Sequence, residues 1–589
     1  MYTIFKILLL YTVIIGLMFI GGVFGILSPA YGWGIFSFAV ISIMLFLRRK
    51  KLSLAIFYNN NTWFERLLWS FVLIFFLSSF IRTFAPVMGS DALSCHLDIP
   101  KHYINYGGFK DLIQHFPFAC MQLGTQMLFM LVMLIGPSFL AQTVTFFISL
   151  LLFYAIYKFG QIYFNNQTGL LAATLVTATS VFHMESFYVQ TDLSLALFLF
   201  AAFWALWDYT VKARFKYLIL FGIFSGTALS IKLNGAIFIG LLFLYLLAVI
   251  VNDKRFYIRK KILYLLAPLS LCLLIYLPWI LRTYYYTGNP FYPFFNKFFI
   301  LRDSYVHLQF IGALYKPAAH PFFTIIPKTV FGYFYYPFLI SFKQIVTPDN
   351  FIGPLFLSLF IVAVCRRFWH LRILKILAFF AWISYSLYFL GVPQLRHIYI
   401  VICLISFICS WGLYDLLKKK ARLVNSVLCI AIICYLFLFL GKSVYEKAKA
   451  YPAAFGIQSE DEFNVTYEHG FRLFRDCRFL NDSIGADEKI LAFTPLTYHL
   501  NRDFVLAYVL QMRLADTEYL KSPNDFLNYL INNGIYYVWF DADDDRSNIT
   551  ACLKIMNLVE ELIKTNKLTC VYNNKQENSY VYRVNLVKR

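Results

Sequence analysis

Apolar runs of about 17–25 residues recur through the first three quarters of the chain, and no other feature limits its folding so strongly. Each run matches the length a helix needs to cross a bilayer core of about 30 Å. In lipid the backbone must satisfy its own hydrogen bonds, so such runs are read as helices. Composition agrees. Of 589 residues, 60% are hydrophobic and 14% charged, with a mean hydropathy of +0.64, where soluble chains carry roughly a quarter charged residues. The expected class is an α-helical polytopic membrane protein. Its net charge of +21 sits in short clusters between apolar runs, a positive-inside pattern and not a nucleic-acid-binding face.

Spans are expected at about 4–26, 32–47, 67–85, 139–157, 168–186, 192–209, 216–232, 235–251, 262–281, 351–364, 373–391, 397–415 and 424–441, about thirteen crossings. Lys6 and the run Ile7–Ile26 read as an uncleaved first span. The cluster Arg48-Arg49-Lys50-Lys51 marks the cytoplasm. Were the run 118–136 to cross as well, the clusters at 212–216, 254–261, 366–375 and 418–422 would fall outside. It is therefore read as an interfacial or half-buried helix. The N-terminus is then cytoplasmic and the tail extracytoplasmic, in an integral protein of a bacterial inner membrane. The domain division is 1–441, with outer loops 86–138 and 282–350, and 442–589.

From Lys442 charges of both signs become frequent and short mixed elements replace the long runs. Ser522-Pro523-Asn524 predicts a capped helix start with proline in its first turn, ended by Gly534. Ile535–Phe540 predicts a strand, 548–567 a helix, and Cys570–Tyr572 with Ser579–Val584 a hairpin. The tail is thus a small α/β domain, and Asp541–Asp545 an acidic turn within it. The eleven cysteines show no CxxC pair or Cys/His metal spacing, and a disulfide between Cys95 and Cys120 is left open.

Pro86–Pro117 is polar between very apolar neighbours and carries Asp91, His96, Asp98, Lys101 and His102. Ionisable residues at membrane depth mark functional sites. By the expected topology Asp91, Asp192, Lys232, Arg396 and His397 lie on one face of the membrane, with Arg282 opening the second outer loop. Each has a blander reading. Asp91 fits an N-cap for a helix beginning at Ala92, and Asp192 one for a helix beginning at Leu193. Lys232 and Arg396 fit snorkelling side chains, and His96 and His102 fit loop packing. Together, carboxylates and cations at one boundary suit sugar transfer from a lipid-linked phosphate. A carboxylate takes the acceptor's proton, and cations such as Lys232, Arg282 or Arg396 stabilise the departing phosphate. The aromatic groups Tyr284-Tyr285-Tyr286 and Tyr333-Phe334-Tyr335-Tyr336 fit either sugar stacking or an interfacial belt.

Ser90-Asp91-Ala92-Leu93, His96-Leu97, Pro100-Lys101 and Tyr103 resemble the first outer loop of bacterial family 39 type membrane glycosyltransferases of the GT-C class. That class includes protein mannosyltransferases, aminoarabinose transferases and lipopolysaccharide-core sugar transferases. Thr191-Asp192-Leu193, Lys232-Leu233-Asn234-Gly235, the segment 287–294 (TGNPFYPF) and Gln394-Leu395-Arg396-His397 are similar to its later landmarks, over about residues 60–415. The resemblance implies Asp91 as catalytic base and Asp192 as the assisting acid. It implies substrate-binding roles for His96, Lys101, His102, Lys232, Arg282, Arg396 and His397. It also implies a polyprenyl-phosphate-linked sugar donor and a lipid, glycan or protein acceptor. A divalent cation (Mg or Mn) is required in some branches only. Three departures stand out: Cys95 replaces an aromatic, His397 a tyrosine, and two spans precede the loop where one is usual.

A transporter or flippase of lipid-linked saccharides, or a polymerase or ligase of them, shares many of these features. Transporters usually show internal repeats with matched broken helices, and none is visible in this sequence.

Overall fold

The computed structural model describes residues 2–47, 62–113, 115–116, 119–254, 257–302, 325–344, 350–365, 370–391, 394–419, 422–466, 473–485, 487–515, 517–541 and 552–585. Its backbone divides into two compact units. The first comprises Met1–Ala85, Gln122–Leu277 and His320–Ile457; the second comprises Pro86–Met121, Pro278–Ala319 and Gln458–Arg589.

Among the described residues ten helices are long and apolar enough to cross a membrane. They are Thr3–Phe24, Pro29–Phe46, Trp63–Arg82, Leu140–Tyr163, Asp192–Lys212, Leu233–Asn252, Ile258–Thr287, Arg372–Leu390, Tyr399–Lys418 and Arg422–Ala448. Four shorter apolar helices accompany them: Gly124–Ile135, Lys216–Ile231, Val330–Phe342 and Pro354–Cys365. The chain is an integral membrane protein. Leu244, Leu274 and Leu438 leave well over half of their surface uncovered by protein, as lipid-facing positions do. The basic cluster at 48–51 lies outside the described residues.

Local chemistry fixes several of these helices. Thr62 and Glu65 form a reciprocal capping box at the start of Trp63–Arg82. Gly222 and Gly226, four residues apart, lie against the backbone of Ile258–Thr287. A Cβ on either would come 2.4 Å from the Pro268 carbonyl oxygen or 2.6 Å from that of Cys272. This is the small-residue contact that lets membrane helices approach closely.

Two segments differ from the sequence reading, while the run 118–136 keeps to it. The expected span 168–186 is broken: Asn166–Thr177 ends, and Thr179 caps a separate helix, Ser180–Glu185, by accepting the Phe182 amide. The run 118–136 contains only the 12-residue helix Gly124–Ile135, about 18 Å long at 1.5 Å per residue and short of the bilayer core. The aromatic run Tyr333–Tyr336 lies on a helix, Val330–Phe342, capped by Thr329.

The second unit carries a five-stranded sheet of order β2-β1-β3-β5-β4. Its strands are β1 (Lys489–Ala492), β2 (Phe504–Leu506), β3 (Ile535–Asp541), β4 (Leu568–Asn574) and β5 (Ser579–Val584). Strand β1 pairs in parallel with β2 and β3, while β5 pairs antiparallel with β3 and β4. The expected helix is Pro523–Asn532, with Ser522 accepting the Asp525 amide and Gly534 in the left-handed region after it. A second helix, Leu553–Lys564, also matches the pattern. Leu491, Phe526, Leu530, Val538, Ile555 and Leu562 form the core. Of the acidic run only Asp541 is described, as the last residue of β3.

Candidate active site

In the first unit, Asp192 is the first residue of the helix Asp192–Lys212 and is 1% exposed. Its Oδ1 lies 2.6 Å from the Nζ of Lys232. Lys232 sits where Lys216–Ile231 ends; its backbone is extended and a 3-10 turn, Leu233–Gly235, follows. The Lys232 side chain is 29% exposed, so it lies between the buried carboxylate and open space. The Asp192 Oδ2 is buried with no hydrogen-bond partner among the described residues, as are Thr191 Oγ1 and Asn234 Oδ1. Buried polar atoms are normally satisfied, so Asp192, Thr191 and Asn234 each keep an acceptor oxygen with hydrogen-bonding capacity unused by the protein.

Arg396 and His397 act electrostatically on Asp192. They lie in the turn before Tyr399–Lys419, where the Arg396 Nε donates to the Gln394 side chain at 3.3 Å. The structure therefore brings together four of the residues singled out from sequence: Asp192, Lys232, Arg396 and His397.

It also adds one. Glu185 is 5% exposed, and its Oε2 accepts the Leu193 amide at 2.8 Å. It stands within electrostatic reach of Asp192, Lys232 and Arg396. Glu185 falls in the last turn of the expected span 168–186, which concealed it. The available signal was an ionisable residue inside an apolar run.

In the second unit, half-buried Asp91 precedes the five-residue π-helical turn Ala92–His96 and makes no side-chain capping hydrogen bond to it. Such turns are frequent at functional sites. His96 is buried, its Nδ1 3.7 Å from the sulfur of Cys95. The structure does not join Cys95 and Cys120 by a disulfide.

Other expected ligand-binders have structural partners in this unit. The Lys101 ammonium donates to the carbonyls of Tyr498 at 2.6 Å and Leu500 at 2.9 Å. Arg282 donates to the carbonyls of Met121 and Ala119 and to the Tyr103 hydroxyl, with its plane 4.7 Å from the Phe109 ring centre. The 287–294 motif is knitted to itself: Asn289 donates to Phe294 and Asn296 and accepts the Phe291 amide.

Asp98, fully buried, accepts the Thr497 hydroxyl at 2.6 Å. Burial pushes its carboxyl up to about 7, against the opposing pull of Lys101. Burial, reinforced by His115 and Lys101, pushes His102 down to about 3. Near pH 7 His102 is therefore neutral and Asp98 about half ionised, and their facing atoms stand 3.7 Å apart, too far for a hydrogen bond. His115 meets Asp503 at 3.2 Å, and that contact holds the Asp503 carboxyl below its usual range. Among the described residues no three His, Cys, Asp or Glu side chains are grouped to hold a metal ion.

This architecture is the GT-C glycosyltransferase fold. A family model described as dolichyl-phosphate-mannose-protein mannosyltransferase matches residues 125–281. The structure of ArnT from Cupriavidus metallidurans bound to undecaprenyl phosphate is similar with a TM-score of 0.51 at 12% identity, over 88% of this chain and 97% of that one. The oligosaccharyltransferase of Archaeoglobus fulgidus in its apo form is similar with a TM-score of 0.51 at 12% identity, over 89% and 75%. No curated protein matches the sequence significantly. The resemblance drawn from the motifs thus holds at the level of fold.

Proposed function

We propose that this protein is an inverting glycosyltransferase moving a sugar from a polyprenyl-phosphate donor to an extracytoplasmic lipid, glycan or protein. The observation that carries the reading is Asp192. One oxygen of this buried carboxylate is held by Lys232 at 2.6 Å and the other is left without a partner. A carboxylate arranged in this way is primed to accept a hydroxyl from a bound ligand. Lys232 keeps further N–H donors for a phosphate, and Arg396 and His397 add positive charge.

In the reaction the acceptor's oxygen or nitrogen attacks the anomeric carbon. The bond from that carbon to the phosphate oxygen breaks, and its electron pair leaves with the polyprenyl phosphate. Asp91 takes the acceptor's proton. Lys232, Arg396 and His397 stabilise the departing phosphate, so no acid is needed for it. Displacement from one side inverts the anomeric centre. The roles of Asp91 and Asp192 come from the motif resemblance. The lipid-phosphate donor is supported by ArnT, which has been captured with undecaprenyl phosphate. The pattern of basic clusters supports a cytoplasmic N-terminus and an extracytoplasmic tail in a bacterial inner membrane.

The test is a panel of radiolabelled polyprenyl-phosphate sugars offered to the purified protein in proteoliposomes containing cell-envelope lipids. Label arriving on an acceptor, for one donor, supports the reading. Lipid-linked sugar crossing the bilayer with no transfer would make the protein a transporter instead.

A further inference from the structure

A carboxylate at the first position of a helix commonly serves the helix itself, by binding one of its four unpaired N-terminal amides. Asp192 does not bind the Leu193 amide, which goes to Glu185 at 2.8 Å. Thr191, the residue at the cap position, makes no side-chain capping bond either, and its hydroxyl is buried without a partner. The capping function has moved seven residues upstream of Asp192, onto a side chain reached only because the chain folds back. That fold-back depends on the break after Thr177 and the short helix Ser180–Glu185.

We propose that Glu185 is a positioning residue of the transfer site, holding the start of the Asp192 helix so that the Asp192 carboxylate stays available to Lys232 and to substrate. The inference rests on the proposed function and deepens it. Two buried carboxyls, Glu185 and Asp192, share the neighbouring cations Lys232 and Arg396. Without Glu185 the Leu193 amide loses its acceptor, and the first turn that carries Asp192 loses its anchor to Ser180–Glu185. Asp192 would then leave Lys232, and the site would lose its acceptor atom without losing any residue that touches substrate.

The test compares Glu185→Gln with Glu185→Ala, each alone and combined with Asp192→Asn, in detergent and in proteoliposomes. A glutamine oxygen still accepts the Leu193 amide, so Glu185→Gln should keep transfer within about threefold of wild type. Glu185→Ala should lower kcat by about tenfold or more. Adding Glu185→Ala to Asp192→Asn should cost little further, because both act on the same carboxylate. Undecaprenyl phosphate binding is measured alongside. Hydrogen exchange of the peptide spanning 186–195 should accelerate in Glu185→Ala and not in Glu185→Gln.

Equal losses in the Gln and Ala variants, or additive losses in the double variant, would overturn the positioning role. Should the wild type transfer no sugar, the functional reading falls. The exchange arm then still decides on Glu185: unchanged exchange in Glu185→Ala would remove it as the helix anchor.

Discussion

The ammonium of Lys232 lies 2.6 Å from one oxygen of Asp192, joining the break after Lys216–Ile231 to the first residue of Asp192–Lys212. The carboxylate is fully buried and the lysine partly exposed, so the pair resists screening by salt better than a surface pair would. Removing the lysine leaves a buried charge uncompensated. Lys232→Met should cost about 3 kcal/mol, the low end for a broken buried pair, seen as a lower thermal midpoint in detergent. The double variant Lys232→Met with Asp192→Asn should recover part of that loss. A midpoint unchanged by Lys232→Met would mean that water already solvates Asp192.

Buried Asp98 and half-buried His102 oppose one another in pH dependence. From the ordinary 3.8 to about 7, the native state holds the Asp98 proton that the unfolded chain releases. Its contribution to stability therefore falls as pH rises through that window. From about 3 to the ordinary 6.5, the unfolded chain protonates His102 and the native state does not. That contribution rises with pH. Thermal midpoints of Asp98→Asn across this range should climb more steeply with pH than those of wild type, and those of His102→Gln less steeply. Parallel curves for all three proteins would refute the assignment.

Lys101 ties the first polar segment to the stretch before β2. With its ammonium gone, the carbonyls of Tyr498 and Leu500 lose their donor, a loss of about 1.5–3 kcal/mol for charged hydrogen bonds. Lys101→Met should speed hydrogen exchange over residues 496–502, and Lys101→Arg should restore part of the protection. Slow exchange in Lys101→Met would assign the anchoring to the remaining bonds, from the Thr497 hydroxyl to Asp98 and from the Tyr498 amide to the Leu93 carbonyl.

Gly124 lies against the backbone of Ser230 and Ile231, just before Lys232. A Cβ there would lie 2.8 Å from the carbonyl oxygen of Ser230, two residues before the lysine. Gly124→Val should destabilise by about 1–3 kcal/mol, as overpacking does, and reduce transfer by displacing Lys232. Retention of full stability and transfer would show that this helix contact gives way without moving the site.

The sequence announced most long helices because an apolar run of bilayer length has few other folds available to it. It also announced Pro523–Asn532 and β3, where Ser522, Pro523 and Gly534 punctuate the chain. Other elements depend on contacts distant in sequence. Strands β1 and β2 are four and three residues long and form by pairing in parallel, which leaves little local signal. The helix Val330–Phe342 holds Pro337 in its interior and an aromatic run that equally fits an interfacial belt. At the site, the motifs marked Asp192, Lys232 and Arg396. Whether Asp192 capped its helix depended on Glu185, whose approach follows from the break at Ala178. Lys101 and Arg282 looked like free cations because their carbonyl partners lie far along the chain.

The central claim is most directly tested by stereochemistry and rate together, with the donor that the panel identifies. Wild type and Asp91→Asn are compared for kcat, for undecaprenyl phosphate binding and for the anomeric configuration of the product by NMR. The account predicts an inverted product from wild type. For Asp91→Asn it predicts a fall in kcat of about 100-fold or more, the contribution of a general base, with lipid-phosphate binding unchanged. A retained configuration, or an Asp91→Asn variant as fast as wild type, would contradict it.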